Sequence, residues 1–229
     1  MKERPILFQG EMVRALLAGT KTQTRRVGEI QNPEWTELGV DYIGHATKGV
    51  EAVATYRAFP KGGSARWGIC ACPYGVAGDR LWVREDHIVI GHESVGPSLT
   101  VRYCADGAVK HCAVTPREYA LFRARKSAPG SVVRGRFSYR SIARFVIDVV
   151  SVRVERLKAI TEADAKAEGV VPAPENHTAA AVAYIFGAKE FLAHTSAYVT
   201  LWEQINGRGS WALNPWVWVI EFRRVAPPP

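Results

Sequence analysis

Period-two alternation of apolar residues recurs along this chain, whereas helical periodicity is confined to a few short stretches. The two never alternate as repeated strand–helix–strand units. A chain patterned this way folds as a mixed α+β domain, with sheet and helices segregated, and not as a doubly wound parallel sheet.

The N-terminal third sets the pattern. Ile6-Leu7-Phe8 reads as a short strand. Gln9-Gly10 then opens a helix with Met12, Val13, Leu16 and Leu17 on one face. Gly19 stands where a left-handed C′ glycine ends a helix, and Thr22–Val27 has strand character. Residues 28–70 alternate poorly and read as a loop-rich insertion with one strand near Val50–Tyr56.

Leu81-Trp82-Val83-Arg84-Glu85 is a strand with Leu81, Val83 and Glu85 on one face and Trp82 and Arg84 on the other. Leu99–Cys104 follows, closed by the hairpin turn Ala105-Asp106-Gly107. Residues 106–143 read as a second loop-rich insertion. Phe145, Ile147 and Val149 alternate, then Val152 and Val154 alternate in the opposite phase, which marks a bulge near Val150–Ser151. Thr161 caps a helix with Asp164 at N3 and Ile160 stapled to Ala165; Gly169 stops it just after Glu168. A longer helix spans Ala188–Ile205 with Phe191, Tyr198, Leu201, Trp202 and Ile205 as its core face. The last strand is Pro215–Val225, and residues 226–229 read as a disordered tail.

Length and composition fit one domain over 1–229: 47% of its 229 residues are hydrophobic, enough for one sizeable core. No stretch is long and apolar enough for a signal sequence or a membrane span, so the chain reads as soluble and cytoplasmic, with no membrane partner and as a monomer. Cys70, Cys72, Cys104 and Cys112 then read as reduced thiols. Their spacing and His111 do not make a zinc motif, so neither metal nor cofactor is expected.

The net charge is +8, and it is concentrated. Eight cations lie between Ala113 and Arg144 against one acid, Glu118, and Tyr119, Phe122, Phe137 and Tyr139 interleave with them. Cations with aromatics suit a single-stranded nucleic acid, for which Arg123, Arg125, Arg134 and Arg136 are the candidates. A solvated basic surface fits the same composition.

The densest chemistry is Gly19-Thr20-Lys21-Thr22-Gln23-Thr24-Arg25-Arg26. A threonine hydroxyl becomes a nucleophile when a base takes its proton, and a lysine whose proton affinity is lowered by burial beside arginines is such a base. Arg25 and Arg26 supply that neighbouring charge. On a regular strand 21 and 24 face opposite ways, so the pair requires the chain to turn between them. The residue types alone also fit an ordinary strand threonine and a solvated lysine.

Gly19-x-Lys21 with Arg26 after a short helix resembles the signature of the ASCH domain. Gly78-Asp79-x-Leu81-Trp82-Val83-Arg84-Glu85 resembles its second block, and Asn214-Pro215-Trp216-Val217-Trp218-Val219-Ile220-Glu221-Phe222 its last strand. The chain as a whole is similar to the larger, phage-associated ASCH proteins. The resemblance implies a PUA-like small mixed β-barrel with helices packed over it. Thr24, where many such proteins have glutamate, is similar to the bacterial N4-acetylcytidine amidohydrolases, as is Thr161-Glu162-x-x-Ala165-x-x-Glu168. That likeness implies an amidohydrolase acting on an N4-acylated cytosine nucleoside or related modified base, with Thr24 as nucleophile, Lys21 as base and Glu168 as acid or reader of the base edge. Arg26 then stabilises the oxyanion. Trp82, Arg84 and Glu85 are candidate substrate contacts, Glu85 also a second candidate acid. The size, the insertions and Arg25 depart from that subgroup. A nucleic-acid-binding module or ribonuclease is the competing expectation.

Overall fold

The computed structural model of the chain describes residues 1–28, 40–42, 53–58, 66–93, 96–124, 130–171 and 193–225. Among them the elements run β1 (Glu3–Leu7), α1 (Gly10–Leu17), β2 (Gln23–Val27), β3 (Val40–Tyr42), β4 (Val53–Ala58), β5 (Arg66–Ala71), β6 (Arg80–Arg84) and β7 (His87–Glu93). They continue with β8 (Ser98–Tyr103), β9 (Val109–Ala113), α2 (Pro116–Ala124), β10 (Val132–Val133), β11 (Val146–Arg156), α3 (Glu162–Ala167), α4 (Ala193–Asn206) and β12 (Trp216–Arg224). The architecture is mixed α+β. The described strands form open sheets, and among the described residues none closes on itself.

The chain divides into two compact units. The first takes Met1–Gly19, Asp79–Asp148 and Arg224–Pro229; the second takes Thr20–Gly78 and Val149–Arg223.

In the first unit β1 lies parallel to β6, and residues Val146–Asp148 of β11 run antiparallel along β6's other side. Leu81, Val83 and Glu85 are buried, and Trp82 and Arg84 half-buried, as the alternation requires. Helix α1 buries Met12, Val13, Ala15 and Leu16; Leu17, expected on the same face, is exposed at the helix's last position. Gly19, at φ +75°, sends its N–H to the Leu16 carbonyl and ends the helix.

A second sheet in this unit has the order β10-β7-β8-β9. The described residues of 106–143 hold β9, α2, β10 and a 3-10 turn at Gly135–Phe137, more regular structure than the expected loop-rich insertion. The start of α2 is written in the sequence as Thr115-Pro116-Arg117-Glu118. Glu118 Oε2 accepts from the Thr115 N–H and Oγ1, and Thr115 Oγ1 accepts from the Glu118 N–H. That is a capping box with proline at N1. Tyr119, Phe122 and Tyr139 pack against the cluster of Leu99, Val101, Tyr103 and Ile142. Three of the four aromatics among the cations are thus committed to packing.

In the second unit residues 28–70 also depart from the expected insertion with a single strand. The described residues give β3, β4 and β5, an antiparallel three-stranded sheet. The remaining strands have the order β11-β12-β2, with β2 antiparallel to β12. Burial along β11 changes phase between Val149, buried, and Val152, buried, with Val150 exposed between them. Thr161 and Asp164 form a reciprocal capping box at the start of α3. Ile160, Ala165, Tyr198, Trp202, Val217 and Val219 make one core cluster, so α3 and α4 cover one face of β12. The first five residues of the expected 188–205 helix, Phe191 among them, lie outside the described residues, as do 226–229.

Candidate functional site

The Gly19–Arg26 stretch folds around the edge of β2 that faces away from β12. Phe222 donates its N–H to the Thr22 carbonyl, and Gly28 donates to the Trp216 carbonyl. In an antiparallel ladder this sets the even-numbered carbonyls of β2 toward β12 and the odd ones away from it. The Gln23 carbonyl therefore points outward. Lys21, which precedes the strand, turns its side chain along this edge, and Nζ donates to the Gln23 carbonyl at 2.8 Å.

The same ammonium closes the C-terminal end of α3. Thr22 N–H donates to the Ala167 carbonyl at 2.8 Å. Lys21 Nζ donates to the Glu168 carbonyl at 2.9 Å and to Glu168 Oε2 at 2.8 Å. A helix C-terminus, with its unpaired carbonyls, favours a cation, so the lysine offsets the unfavourable placement of Glu168 at that end. Lys21 and Glu168 are 1% and 2% exposed. Burial lowers the proton affinity of Lys21 from its ordinary value; Glu168 pushes back, and Arg26 and Arg25 add to the lowering.

Gln23 and Arg25 project from the opposite face of β2 to Thr24 and Arg26. The buried Arg25 guanidinium joins three carboxylates. Nη2 is 2.5 Å from Glu155 Oε1 and 3.2 Å from Asp164 Oδ2; Nη1 is 3.7 Å from Glu168 Oε1 and bonds the Gln23 side-chain oxygen. Gln23 Nε2 donates to Asp164 Oδ1 at 3.0 Å. Arg153 extends the network to Glu155, Asp164 and Glu221. Burial alone would raise the Asp164 pKa, but its bonds to Thr161 and Gln23, together with the Arg25 charge, hold it well below the usual carboxylate range.

Thr24 is fully buried and pairs with Ile220 across the ladder, as Arg26 pairs with Trp218. Its Oγ1 has no hydrogen-bond partner. Lys21 Nζ does not bond it directly; it bonds the carbonyl of the peptide that joins Gln23 to Thr24.

Trp82, Arg84 and Glu85 belong to the first unit, and Lys21, Thr24, Arg26 and Glu168 to the second. Glu85 is buried and held in a two-bond fork by Arg144, both bonds 2.8 Å; burial nonetheless raises its pKa. The Arg84 guanidinium lies 5.1 Å from the Trp82 ring centroid. Among the basic residues, Arg134 pairs with Asp86, Arg140 with Glu3, and Arg144 with Glu85 and Asp106. Acids remote in sequence thus offset three of the eight clustered cations. Arg123 is exposed on α2, Arg136 lies 4.9 Å over the Phe137 ring, and Arg125 is outside the described residues.

Among the described residues no group of three or more His, Cys, Asp or Glu side chains is arranged to hold a metal ion. No described helix is long and apolar enough to cross a membrane. His111 Nδ1 hydrogen-bonds Thr100 Oγ1, and Cys72, Cys104 and Cys112 are free thiols.

Two residues at this site are not marked by any motif. Arg25 reads in the sequence as a nearby charge, yet Asp164 and Glu168 share a helix face at i, i+4 and Gln23 and Arg25 share a strand face at i, i+2. Tyr198 reads in the sequence as a core residue. Burial and the Glu168 charge hold its hydroxyl protonated well above the ordinary tyrosine value. Comparisons of the chain with protein-family models, with curated proteins and with solved structures found no match.

Proposed function

We propose that this protein is an amidohydrolase that removes an acyl group from the N4 amine of a modified cytosine nucleoside or related base, on an ASCH-type PUA-like fold. One observation carries the reading. A buried Lys21–Glu168 pair rests on the peptide that precedes Thr24, whose buried hydroxyl lacks a partner. Unpartnered buried polar groups are rare in folded proteins and invite an explanation in function.

The chemistry follows from the pair. A proton shift along the 2.8 Å bond from Lys21 Nζ to Glu168 Oε2 gives a neutral amine and a neutral acid. Burial disfavours both charges and so narrows the gap between the two forms. The amine exchanges the Gln23 carbonyl for the Thr24 hydroxyl and takes its proton. Thr24 Oγ1 then bonds the acyl carbon, and the carbonyl oxygen becomes an oxyanion beside Arg26. Glu168 gives its proton to N4 as the C–N bond breaks, releasing the cytosine amine. Water then cleaves the acyl-threonine ester, restoring the Thr24 hydroxyl and releasing the acid. Because all three residues are buried, substrate entry requires the cluster to open.

Incubation with N4-acetylcytidine, followed by chromatography and by mass analysis of acid-quenched protein, tests this. Cytidine and an acetyl adduct on Thr24 are the predicted products; neither appearing contradicts the reading.

A second reading, single-stranded nucleic-acid binding or cleavage, is favoured by one observation: Arg136 stacks over Phe137, itself 47% exposed. It predicts salt-sensitive RNA binding that weakens in Arg123→Ala and Arg136→Ala. Unchanged affinity in both variants removes it.

A further inference from the structure

We propose that Arg25 is the positioning residue of the Glu168 carboxylate. The inference rests on the hydrolase reading for its role in a reaction, but its physical content stands on geometry alone. Glu168 presents two oxygens. Oε2 belongs to Lys21 at 2.8 Å. Oε1 makes no close hydrogen bond; the Arg25 guanidinium faces it at 3.7 Å, and the Tyr198 hydroxyl also reaches the Glu168 carboxylate.

Arg25 is itself pinned. Its other amino group is fixed by Glu155 and Asp164, and its Nη1 also bonds Gln23. A planar fork locked on one side by two acids presents its remaining edge in a fixed direction. That charged edge, beside the Tyr198 hydroxyl that also reaches Glu168, stops the carboxylate from turning away from Lys21, so Arg25 keeps the ion pair assembled. The groups facing the pair are Arg25 and Arg26 from β2 and Tyr198 from α4.

This role has a sign that a bystander's would not have. Arg25 as a mere neighbouring cation repels the charge on Lys21, so replacing it with a neutral residue strengthens Lys21's hold on its proton. Arg25 as the anchor of Glu168 does the reverse: without it Glu168 swings off, and Lys21 is left buried without its partner. The Lys21 titration, read from the Nζ signal of ¹⁵N-lysine-labelled protein, separates the two. Arg25→Lys keeps the charge and deletes the fork, and it is the variant best suited to fold. Its expected result is a Lys21 midpoint lower by about one pH unit. Arg25→Gln is expected to shift it the same way. A midpoint unchanged in Arg25→Lys, or raised in Arg25→Gln, overturns the proposal.

Hydrolysis of N4-acetylcytidine is measured on the same proteins. A fall in kcat with KM held in Arg25→Lys is the expected companion. If the wild type turns over no substrate, the hydrolase reading falls, and the titration still decides whether Arg25 holds Glu168.

Discussion

Lys21 meets Glu168 twice, through the backbone carbonyl at 2.9 Å and through Oε2 at 2.8 Å. One ammonium thereby closes a helix end, an edge-strand carbonyl and a buried carboxylate. Removing either partner strands a charge. Lys21→Met is expected to cost about 3–5 kcal/mol in urea unfolding. The double variant Lys21→Met/Glu168→Leu is expected to cost less than the two single changes together, because no charge is left behind. Strictly additive costs would show that the two residues do not act as a pair.

The reaction uses the Lys21–Glu168 pair with the one proton it shares, so kcat/KM falls as pH rises and that proton is lost to solvent. Burial lowers the proton affinity of Lys21 from the ordinary value of 10.5, so the falling limb belongs below that value. Arg26 contributes to the lowering. Arg26→Gln therefore moves the limb to higher pH, in addition to reducing the rate through loss of oxyanion stabilisation. A pH–rate profile of kcat/KM reads both, and a limb that stays put in the variant counts against Lys21 as the titrating group.

Glu162, on α3, caps the first turn of α4. Its carboxylate accepts from the His194 and Thr195 N–H groups at 3.0 Å each, and from both side chains. Burial alone would raise its pKa, but these bonds lower it from 4.5 to about 2. A depressed carboxylate stabilises the fold fully above its unfolded value of 4.5 and loses that contribution as pH falls toward 2. Glu162→Ala is expected to cost about 1–2 kcal/mol at pH 7 and much less at pH 2.5. An equal cost at both pH values would mean that the carboxylate charge does not hold α4.

Gly135 is required for space rather than for a left-handed backbone. A Cβ placed there would sit 2.7 Å from Leu7 Cδ1 and 3.0 Å from the Glu85 carbonyl carbon. Leu7 can rotate away, but the backbone of Glu85 cannot. Gly135→Ala is expected to destabilise by about 1–3 kcal/mol in thermal or urea unfolding. A neutral result would show that the 3-10 turn shifts freely.

Much of this structure is legible in the residues. Gly19 at the end of α1, the Thr161–Asp164 cap, the two faces of β6 and the phase change in β11 each follow from a local rule, and local rules need no partner. The capping box at Thr115–Glu118 obeyed such a rule too and was masked by the surrounding basic charge. What the sequence hides is where charge is cancelled. Arg134, Arg140 and Arg144 look like part of an uncompensated patch until Glu3 on β1 and Glu85 and Asp86 between β6 and β7 arrive from remote positions. The same limit governs the site. Lys21, Thr24 and Glu168 are marked by motif, but the bond from Lys21 to the Gln23 carbonyl depends on which carbonyls of β2 face away from β12. That is settled by pairing with β12, nearly two hundred positions away.

Thr24 carries the central claim, because its hydroxyl is buried and bonds nothing. Replacing it by valine keeps the shape and removes only an unpaired polar group, so stability is expected to change by less than about 1 kcal/mol. The decisive measurement is release of cytidine from N4-acetylcytidine by the wild type and by Thr24→Val, on samples matched for unfolding midpoint. Turnover by the wild type, with loss of activity in the valine variant, is the predicted result. Equal turnover by both proteins, or none by the wild type, contradicts the account.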